Sequence, residues 1–460
     1  MVDAKYQEAF SVIKKKMAKP EDEVLVKDIP LGVDSLNLSG RQLQAIVVNA
    51  LKLDHNWRKP DAYIQRAIPL INSGANTSSV DCMHLLPGGK WLITTHCIYS
   101  HSRQHAGLIL WCLDDMTSPQ SIITVPIHGD ITSCQAHYQP AQHKFTIAVV
   151  LEKDDSEWVE FYHISSDNPA VVTHSESLVM PPAASDEPLP RLCNIDNFRI
   201  YGDMLGATYH QLADWQSHPE TVNVYLRNLV TGATTTFKAC EGDWHCDRIA
   251  FDLFGDQCAL IWDKGRDFSS PVVSFYDIPP SIISANPEPT ANGNLDHMHE
   301  GILSGQCRLP HSGWFHSWSS SGSLEHGVHI LNTMTFSGAP FGVIMDCFSP
   351  PDHETRLIGC PTIVSQMFPR HAALGNLRIL GAMGRRAVWV DIEDGIIFKK
   401  WSASRYCRGE ELSAGVSVLR LPTTMPPFDK QDIYWIAFDE ATCRLCICFR
   451  TGEIYVCDFL

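Results

Sequence analysis

The residues with the clearest chemical potential are two cysteines in the segment Cys443-Arg444-Leu445-Cys446, which forms a C-x-x-C pair. A structural zinc site needs four ligands, supplied by two such pairs or by one pair and two histidines. The sequence contains no second pair, and this segment has the alternating pattern of a β-strand. We therefore expect both cysteines to lie in a strand as small apolar side chains, and we predict no metal site and no other cofactor.

Two groups of polar residues could also supply metal ligands or proton-transfer groups. The first group is His297, His299 and Glu300, and the second is His96, His101 and His105. Both lie in polar stretches typical of loops, so we expect solvated side chains. The sequence also has no phosphate-binding loop, nucleophile elbow, H-E-x-x-H motif or dinucleotide-binding glycine fingerprint. We predict no catalytic residue and a protein that is not an enzyme.

Composition and charge exclude several classes of partner. The chain has 460 residues, of which 44% are hydrophobic and 19% charged, which is typical of a globular protein. Its formal net charge is -16, because 52 Asp and Glu outnumber 36 Lys and Arg. Phosphate backbones and anionic membranes both require a basic surface, so we predict binding to neither. We interpret the short basic run Lys14–Lys16 as a solvated helix face.

The sequence also indicates the cellular compartment. The N-terminal residues have no apolar region typical of a secretory signal. The longest apolar stretch, Phe145–Leu151, is much shorter than the ~20 residues of a membrane helix. We therefore expect a cytoplasmic or nuclear protein whose 16 cysteines are free thiols. Cys446 and Cys448 alternate along one predicted strand and are expected to be buried.

The first 61 residues have a helical pattern and form a short arm. One helix is predicted from Tyr6 to Met17. A second begins after a possible cap at Ser39 and ends near Trp57, before Pro60. Its apolar positions follow helical spacing and are Leu43, Ile46, Val47, Ala50 and Leu51. We expect Trp57 to be a packing anchor rather than a contact for a partner.

From residue 62 to residue 460 the pattern changes to short alternating strands separated by turns. Four such strands recur in units of ~40–45 residues, which is the signature of β-propeller blades. The predicted strand regions, grouped by unit, are residues 80–126, 131–174, 192–237, 248–276, 313–348, 377–401 and 434–459. The predicted fold class is therefore all-β, an about seven-bladed β-propeller with a short N-terminal helical arm.

The two ends of this region supply complementary parts of one unit. The last unit has only three strands, ending with Ile454 to Phe459, and an early strand from Arg66 to Ile71 has no unit of its own. Pairing these two strands would complete the unit and remove an open sheet edge. A pair of β-sandwiches is the main alternative, with Pro279–Asn294 as the linker. Because the strand rhythm continues on both sides of that stretch, we interpret it as a loop between strands of one blade.

Three segments resemble one family in the order in which they occur. They are Ile29-Pro30-Leu31-Gly32, Ala50-Leu51-Lys52-Leu53-Asp54-His55-Asn56-Trp57, and Leu85-Leu86-Pro87-Gly88-Gly89. The chain is similar to the fungal, mushroom-type F-box proteins that carry a degenerate WD-repeat-like propeller. Loose WD-type blade endings also occur at Gly107–Asp114 and Gly452–Asp458.

The resemblance implies a propeller that binds a protein or peptide, held in a cullin-type ubiquitin ligase by a Skp-type adaptor. Only 28 residues precede Ile29, however, and they lack the leucine-proline opening of an F-box. We therefore expect the adaptor-binding module to be deleted or eroded and the arm to be its remnant. Three functions stay open: a substrate receptor of the ligase, a scaffold or dominant-negative form without ligase recruitment, and a propeller enzyme with channel-lining catalytic residues.

Overall fold

A computed structural model of the chain describes one helical arm and a long series of strands. The residues described are 40–59, 61–71, 78–86, 88–100, 103–114, 120–127, 129–139, 144–153, 156–165, 172–179, 192–201, 203–212, 221–241, 250–254, 257–262, 272–283, 299–300, 303–308, 315–323, 328–335, 340–346, 362–364, 378–380, 386–391, 397–403, 414–422, 425 and 432–459. The predicted helix Tyr6–Met17, the run Lys14–Lys16 and the cap at Ser39 lie outside these residues.

Helix α1 (Gly40–Arg58) confirms the second predicted helix of the arm. It ends two residues before Pro60, because a proline disfavours helical geometry in the residue that precedes it. Leu53 and Trp57, four residues apart, lie on one side of the helix and are buried. The predicted apolar positions from Leu43 to Leu51 have side chains outside the described set.

Thirty strands follow α1 in the described part of the chain, and the first two are β1 (Asp61–Tyr63) and β2 (Arg66–Ile71). The next twelve form three antiparallel sheets, each with its four strands paired in chain order. Sheet one consists of β3 (Ser78–Leu85), β4 (Trp91–Ser100), β5 (Arg103–Cys112) and β6 (Gln120–Ile127). Sheet two consists of β7 (Asp130–Gln139), β8 (Lys144–Lys153), β9 (Ser156–Ser165) and β10 (Val172–Val179). Sheet three contains β11 (Leu192–Tyr201), β12 (Met204–Leu212), β13 (Thr221–Asn228) and β14 (Thr234–Glu241).

The remaining strands form four more sheets. Sheet four contains β15 (Ala250–Phe254), β16 (Gln257–Trp262), β17 (Val272–Asp277) and β19 (Leu303–Arg308), while β18 (His299–Glu300) is added in parallel to β14 of sheet three. Sheet five contains β20 (Phe315–Ser323), β21 (Val328–Thr335), β22 (Pro340–Asp346) and β23 (Thr362–Val364). Sheet six contains β24 (Arg378–Leu380), β25 (Arg386–Asp391), β26 (Ile397–Ala403) and β27 (Ala414–Arg420). Sheet seven contains β28 (Ile433–Asp439), β29 (Arg444–Phe449), β30 (Ile454–Asp458) and β2.

The stretch Pro279–Asn294 connects two strands of one sheet, as the sequence predicted. β17 and β19 lie on either side of it and pair with each other, Val272 opposite Arg308. The described part of the stretch contains a single helical turn, α2 (Pro280–Ile283). This pairing argues against an interdomain linker at this position.

The pairing of the two ends of the strand-rich region is also confirmed. β2 runs antiparallel to β30, with Arg66 opposite Asp458 and Ile68 opposite Val456. Pro69 lies in β2, the edge strand of sheet seven. Proline is tolerated in an edge strand, because no further strand needs a hydrogen bond from its missing N–H group. Sheet seven therefore combines strands from both ends of the strand-rich region and has four strands.

The short strand β1 was not predicted. Asp61, assigned to the helical arm from the sequence, already lies in β1, which pairs in parallel with β27 and gives sheet six a fifth strand. A three-residue strand is too short to show an alternating pattern, so only its pairing reveals it. The arm therefore leads directly into a sheet at its last residue.

The sheets fall into two compact units. The first unit covers residues 1–126, 138–144 and 368–460, and its described elements are α1 and sheets one, six and seven. Its apolar core joins α1 to strands of sheets six and seven, and joins sheet one to sheet seven. The second unit covers residues 127–137 and 145–367, and its core lies between sheets two and three and between sheets three and four.

Candidate functional site

Helix α1 packs on the first unit through Trp57. The Trp57 side chain is 0% exposed and lies 5.4 Å from the ring of Phe438 and 5.2 Å from that of Phe459, measured between ring centroids. Phe438 belongs to β28, and Phe459 follows β30, so both rings come from sheet seven. An aromatic side chain buried in this way contributes several kcal/mol of packing, about 3–5 kcal/mol by the cost of its removal. The prediction that Trp57 is a packing anchor is confirmed.

A buried arginine also connects the helix to the sheets. Arg386, in β25 of sheet six, is 4% exposed, and its guanidinium donates to the carbonyl oxygen of Glu440 at 2.7 Å. A second guanidinium nitrogen lies 3.1 Å from Asp54 Oδ1, and the other Asp54 oxygen accepts from Arg58 Nε at 2.7 Å. The Arg386 guanidinium also lies 6.0 Å from the Trp57 ring. The C-terminal turn of α1 is therefore tied to a buried charge as well as to a buried aromatic cluster.

Hydrogen bonds to the backbone hold the chain that leaves the helix. The Asn56 amide donates to the carbonyl oxygens of Tyr63 at 3.2 Å and Phe459 at 3.4 Å. Ile64 N donates to the carbonyl oxygen of Arg420, and Gln65 N to that of Asp458, both at 2.9 Å. The chain from the end of α1 through β1 to β2 is thus fixed to sheets six and seven.

The opposite side of α1 faces solvent. Gln44, Val48, Lys52, His55 and Lys59 are all exposed and follow spacings of three and four residues, so they form one stripe along the helix and its first following residue. Val48 is 39% exposed, which is unusual for an aliphatic residue on the described surface. We call this set of five residues the α1 stripe. The α1 stripe is a candidate interaction surface, because it is the exposed side of a helix whose other side packs on the sheets.

The structure corrects the interpretation of His96. It lies in β4, not in a loop, and is 5% exposed rather than solvated. Trp111 Nε1 donates to Thr94 Oγ1 at 2.9 Å, and this hydroxyl lies 2.7 Å from His96 Nε2. Burial lowers the pKa of His96 to about 4, so the imidazole is neutral near pH 7 and can accept from Thr94. His96 therefore stabilises the pair of β4 and β5, and its side chain is not accessible at the surface.

The remaining histidines of the two predicted groups do not come together among the described residues. His105 lies in β5, and His299 with Glu300 forms β18, which is a strand rather than the expected loop. His101 and His297 lie outside the described residues. Within the described part of the chain, no three His, Cys, Asp or Glu side chains are placed to hold a metal ion.

The C-x-x-C pair is partly as predicted. Cys446 lies in β29 and is buried, as is Cys448 two residues later, and burial raises the pKa of both thiols to about 12. Cys443 is also buried, but it lies in the turn before β29 with φ of 53°, so its placement in the strand was wrong. Its thiol lies 3.7 Å from the carbonyl oxygen of Glu440. Both cysteines of the pair are structural residues of sheet seven.

A second, partly buried arginine, which the sequence did not single out, joins sheet seven to sheet one. Arg444 forms a two-point pair with Asp458, at 2.7 and 3.1 Å. The same guanidinium donates to the carbonyl oxygens of Gly89 and, at 3.1 Å, of Leu113. No local pattern could indicate this role, because Gly89 and Arg444 are 355 residues apart in the chain.

The glycines of the turn between β3 and β4 allow this contact. Gly88 and Gly89 have φ of 91° and 64°, values that other residues rarely adopt. Gly88 N donates to Asp439 Oδ1 at 3.2 Å, so the turn also contacts sheet seven. The segment that ends in Gly88 and Gly89 therefore connects sheet one to sheet seven.

No helix among the described residues is long and apolar enough to cross a membrane. No protein-family model matches the chain, and no curated protein matches its sequence. Many solved structures are similar in fold. The β-propeller domain of Cps50 (Swd1) from Myceliophteria thermophila is 12% identical, with 85% of this chain and 99% of that chain covered and a TM-score of 0.46.

Two further solved structures have similar coverage of this chain. Sqt1 from Chaetomium thermophilum is 12% identical, with 84% of this chain and 96% of that chain covered and a TM-score of 0.43. The acylaminoacyl peptidase of Pyrococcus horikoshii is 10% identical, with 81% and 49% covered and a TM-score of 0.41. In the described part of the chain, each of the seven sheets contains four antiparallel strands, and this all-β arrangement is the one that propeller blades have.

Proposed function

We propose that this chain is a non-enzymatic protein-interaction module that acts as the substrate receptor of a Skp/cullin-type ubiquitin ligase. In this proposal the seven sheets are the blades of an about seven-bladed propeller, and its loops bind a protein or peptide. The helical arm faces the adaptor. The observation that carries the proposal is the rigid attachment of α1 to sheets six and seven through Trp57, Asp54 and Arg386.

A substrate receptor must hold its bound substrate at a fixed distance and orientation relative to the ligase, because ubiquitin transfer depends on both. A helix joined to the sheets only by a flexible chain would not fix this geometry. Trp57 is fully buried and Arg386 is almost so, and α1 shares one apolar core with strands of sheets six and seven. A partner bound to the arm would therefore be held in a constant orientation to that unit.

Co-purification tests the ligase part of the proposal. The full chain would be co-expressed with a Skp-type adaptor and the complex isolated by size-exclusion chromatography. We expect a one-to-one complex. If no complex forms at micromolar concentrations of both proteins, the receptor proposal is wrong, and the chain is a scaffold or dominant-negative form instead.

The role of the rigid arm can be tested separately. Asp54→Ala removes the carboxylate that Arg386 contacts, whereas Asp61→Ala removes one that forms only an exposed pair with Arg420. We expect Asp54→Ala to increase hydrogen exchange in α1 and to reduce substrate ubiquitylation while the adaptor still binds. Asp61→Ala should change neither, and an equal effect of both variants would contradict the role of the buried pair.

A further inference from the structure

Sheets three and six differ from the other described sheets, because each carries a fifth, parallel strand at one edge. β18 lies beside β14 in sheet three, and β1 lies beside β27 in sheet six. The arm fixes β1, since Ala62 is 0% exposed and Ile64 N donates to the carbonyl oxygen of Arg420. β18, in contrast, has two residues and pairs with Phe237 and Lys238. The chain itself therefore shows that the edge of β14 accepts a parallel strand.

The pairing of β13 with β14 shows which residues of β14 form this edge. Asn228 N donates to the carbonyl oxygen of Ala233 across the turn, so the backbone groups of Asn228 point towards β14. Every second residue before Asn228 in β13 points the same way, and the partners of these residues are Thr235 and Phe237. Thr235 and Phe237 therefore direct their N–H and C=O groups back to β13.

The residues that alternate with these two point outwards. Thr234, Thr236 and Lys238 direct N–H and C=O groups away from β13, towards the side on which β18 lies. β18 begins opposite Phe237, so Thr234 continues the edge beyond the first residue of β18. A strand that spans the five residues from Thr234 to Lys238 would pair with more of β14 than the two residues of β18 do.

β14 also has no proline, which is one common protection of an edge strand against a second chain. β2, the edge strand of sheet seven, contains Pro69, whereas β14 begins with Thr234, Thr235 and Thr236 in succession. Few backbone hydrogen bonds hold a two-residue strand, so its local release costs little free energy. A longer strand can therefore replace β18.

We propose that the edge of β14 binds an extended segment of a protein partner by parallel strand addition, and that β18 is the chain's own occupant that this segment replaces. The inference rests on the proposed function as an interaction module and adds a sheet edge to the loops of that module. Main-chain hydrogen bonds would supply the affinity, and alternate side chains would supply the specificity.

The two faces of sheet three define the chemistry of the partner segment. Phe237 is 4% exposed and belongs to the apolar core between sheets three and four. Thr236 and Lys238, its neighbours in β14, are half-buried and lie on the opposite face. The partner segment should therefore alternate, with apolar side chains on the face of Phe237 and polar side chains on the face of Thr236.

The experiment measures fluorescence anisotropy of a labelled peptide titrated with the full chain. The peptide has about eight residues of alternating Val and Ser, which is an ordinary strand length, and one Lys at each end for solubility. The control peptide has the same sequence with a methyl group on every backbone nitrogen, so it cannot donate to a strand. Binding of the parent peptide with loss of at least about tenfold for the methylated peptide is expected. Equal affinities would overturn the proposal.

A variant of β18 tests whether the chain's own strand competes. His299→Pro/Glu300→Pro removes both backbone donors of β18, whereas His299→Ala/Glu300→Ala keeps them. We expect the proline variant to bind the peptide at least about fivefold more tightly than the wild type, because the edge is then open in every molecule. The alanine variant should stay within about twofold. A proline variant with the affinity of the wild type would contradict the role of β18 as occupant and overturn the proposal.

A variant of β14 tests the position of the site. Thr236→Pro removes an outward N–H group without removing a bond to β13, and Thr236→Ala keeps that group. The proline variant should lose at least about tenfold in peptide affinity and the alanine variant less than about threefold. Circular dichroism should show both variants folded. Equal affinities of the two variants would place the peptide elsewhere and overturn the proposal.

A second copy of this chain is the competing occupant of an opened edge. The His299→Pro/Glu300→Pro variant should elute from size-exclusion chromatography as the wild type does, and a dimer that binds no peptide would overturn the proposal. Both proline variants should still form the adaptor complex, because their substitutions lie in the second unit and α1 belongs to the first. Loss of peptide binding by the wild type with an intact adaptor complex would overturn this inference and leave the proposed function standing.

Discussion

The indole of Trp57 stacks on the ring of Phe438, with ring planes inclined by 26° and centroids 5.4 Å apart. The two residues belong to α1 and β28, elements at opposite ends of the chain. The contact makes the C-terminal part of α1 a member of the packed core of the first unit. It also gives the arm a stability that can be measured directly.

Replacing Trp57 with Ala should lower the free energy of unfolding of the first unit by about 3–5 kcal/mol, because a buried aromatic ring and its contacts are lost. Urea unfolding followed by circular dichroism would measure the change. Trp57→Phe should cost less, since a ring remains to contact Phe438 and Phe459. Val48→Ala, on the exposed side of the same helix, should stay within about 0.5 kcal/mol.

Asp54→Ala should lower the free energy of unfolding by about 3 kcal/mol, because Arg386 would remain buried with its charge uncompensated. Asp61→Ala breaks an ion pair whose two side chains are 61% and 63% exposed, and it should cost less than about 1 kcal/mol. Thermal or urea unfolding of both variants would measure the difference. Similar losses would mean that solvent compensates Arg386 in the Asp54 variant.

His96 should make stability fall with decreasing pH between 6.5 and 4. Burial lowers its pKa from 6.5 to about 4 in the folded chain, so the unfolded chain binds a proton first and is favoured as pH falls through this window. The contribution is complete above pH 6.5 and is about 3 kcal/mol at most. Comparing urea unfolding of the wild type and His96→Gln from pH 4 to 8 isolates this group.

The difference in stability between these two proteins should change with pH only below about pH 6.5. Other carboxylates and histidines titrate equally in both and cancel in the difference. A constant difference across the whole range would show that the imidazole is hydrated or protonated in the folded state. A protonated ring has no acceptor nitrogen, so Nε2 would then donate to Thr94 Oγ1 instead of accepting from it.

Gly206→Ala should destabilise the second unit by about 1–3 kcal/mol, because an added methyl group meets a packed aromatic ring. A Cβ at this position would lie 2.7 Å from Cε1 and Cζ of Phe251 and 2.9 Å from Cδ1 of Leu253. Phe251→Leu in the Gly206→Ala background should recover part of the loss relative to the sum of the single changes. Thermal unfolding of the single and double variants would measure this coupling.

Gly232→Ala is the matched control for this substitution. No atom lies within 4 Å of a Cβ there, but φ of +74° makes any side chain strained. Its cost, about 1–2 kcal/mol, should not change when Phe251 is replaced. If the Phe251 substitution rescues both glycine variants equally, the close approach of β12 to β15 is not the cause of the Gly206 effect.

Local patterns were sufficient for most of the strands. Alternation and turn residues identified the regions of sheets one to three. The pairing of β2 with β30 could also be predicted, because the strand count left an early strand without a unit and the last unit one strand short. Short strands such as β1 and β18 were not predicted, since two or three residues cannot show an alternating pattern.

Side-chain surroundings were harder to predict than elements. His96 was interpreted as solvated because polar residues surround it in the sequence, but its neighbours in space are Thr94 and the indole of Trp111. Cys443 was placed in a strand because the segment alternates, whereas the turn before β29 gives it a positive φ. Both errors came from judging a residue by its neighbours in the chain.

The sequence by itself determined the all-β class, the recurring four-stranded units, the helical arm and the packing role of Trp57. These depend on the periodicity of apolar residues and on turn residues, which act over a few positions. Only the tertiary structure decided that Asp54 compensates Arg386, 332 residues away, and that α1 keeps one basic side in solvent. Such contacts depend on how distant strands are brought together, and no local period records that.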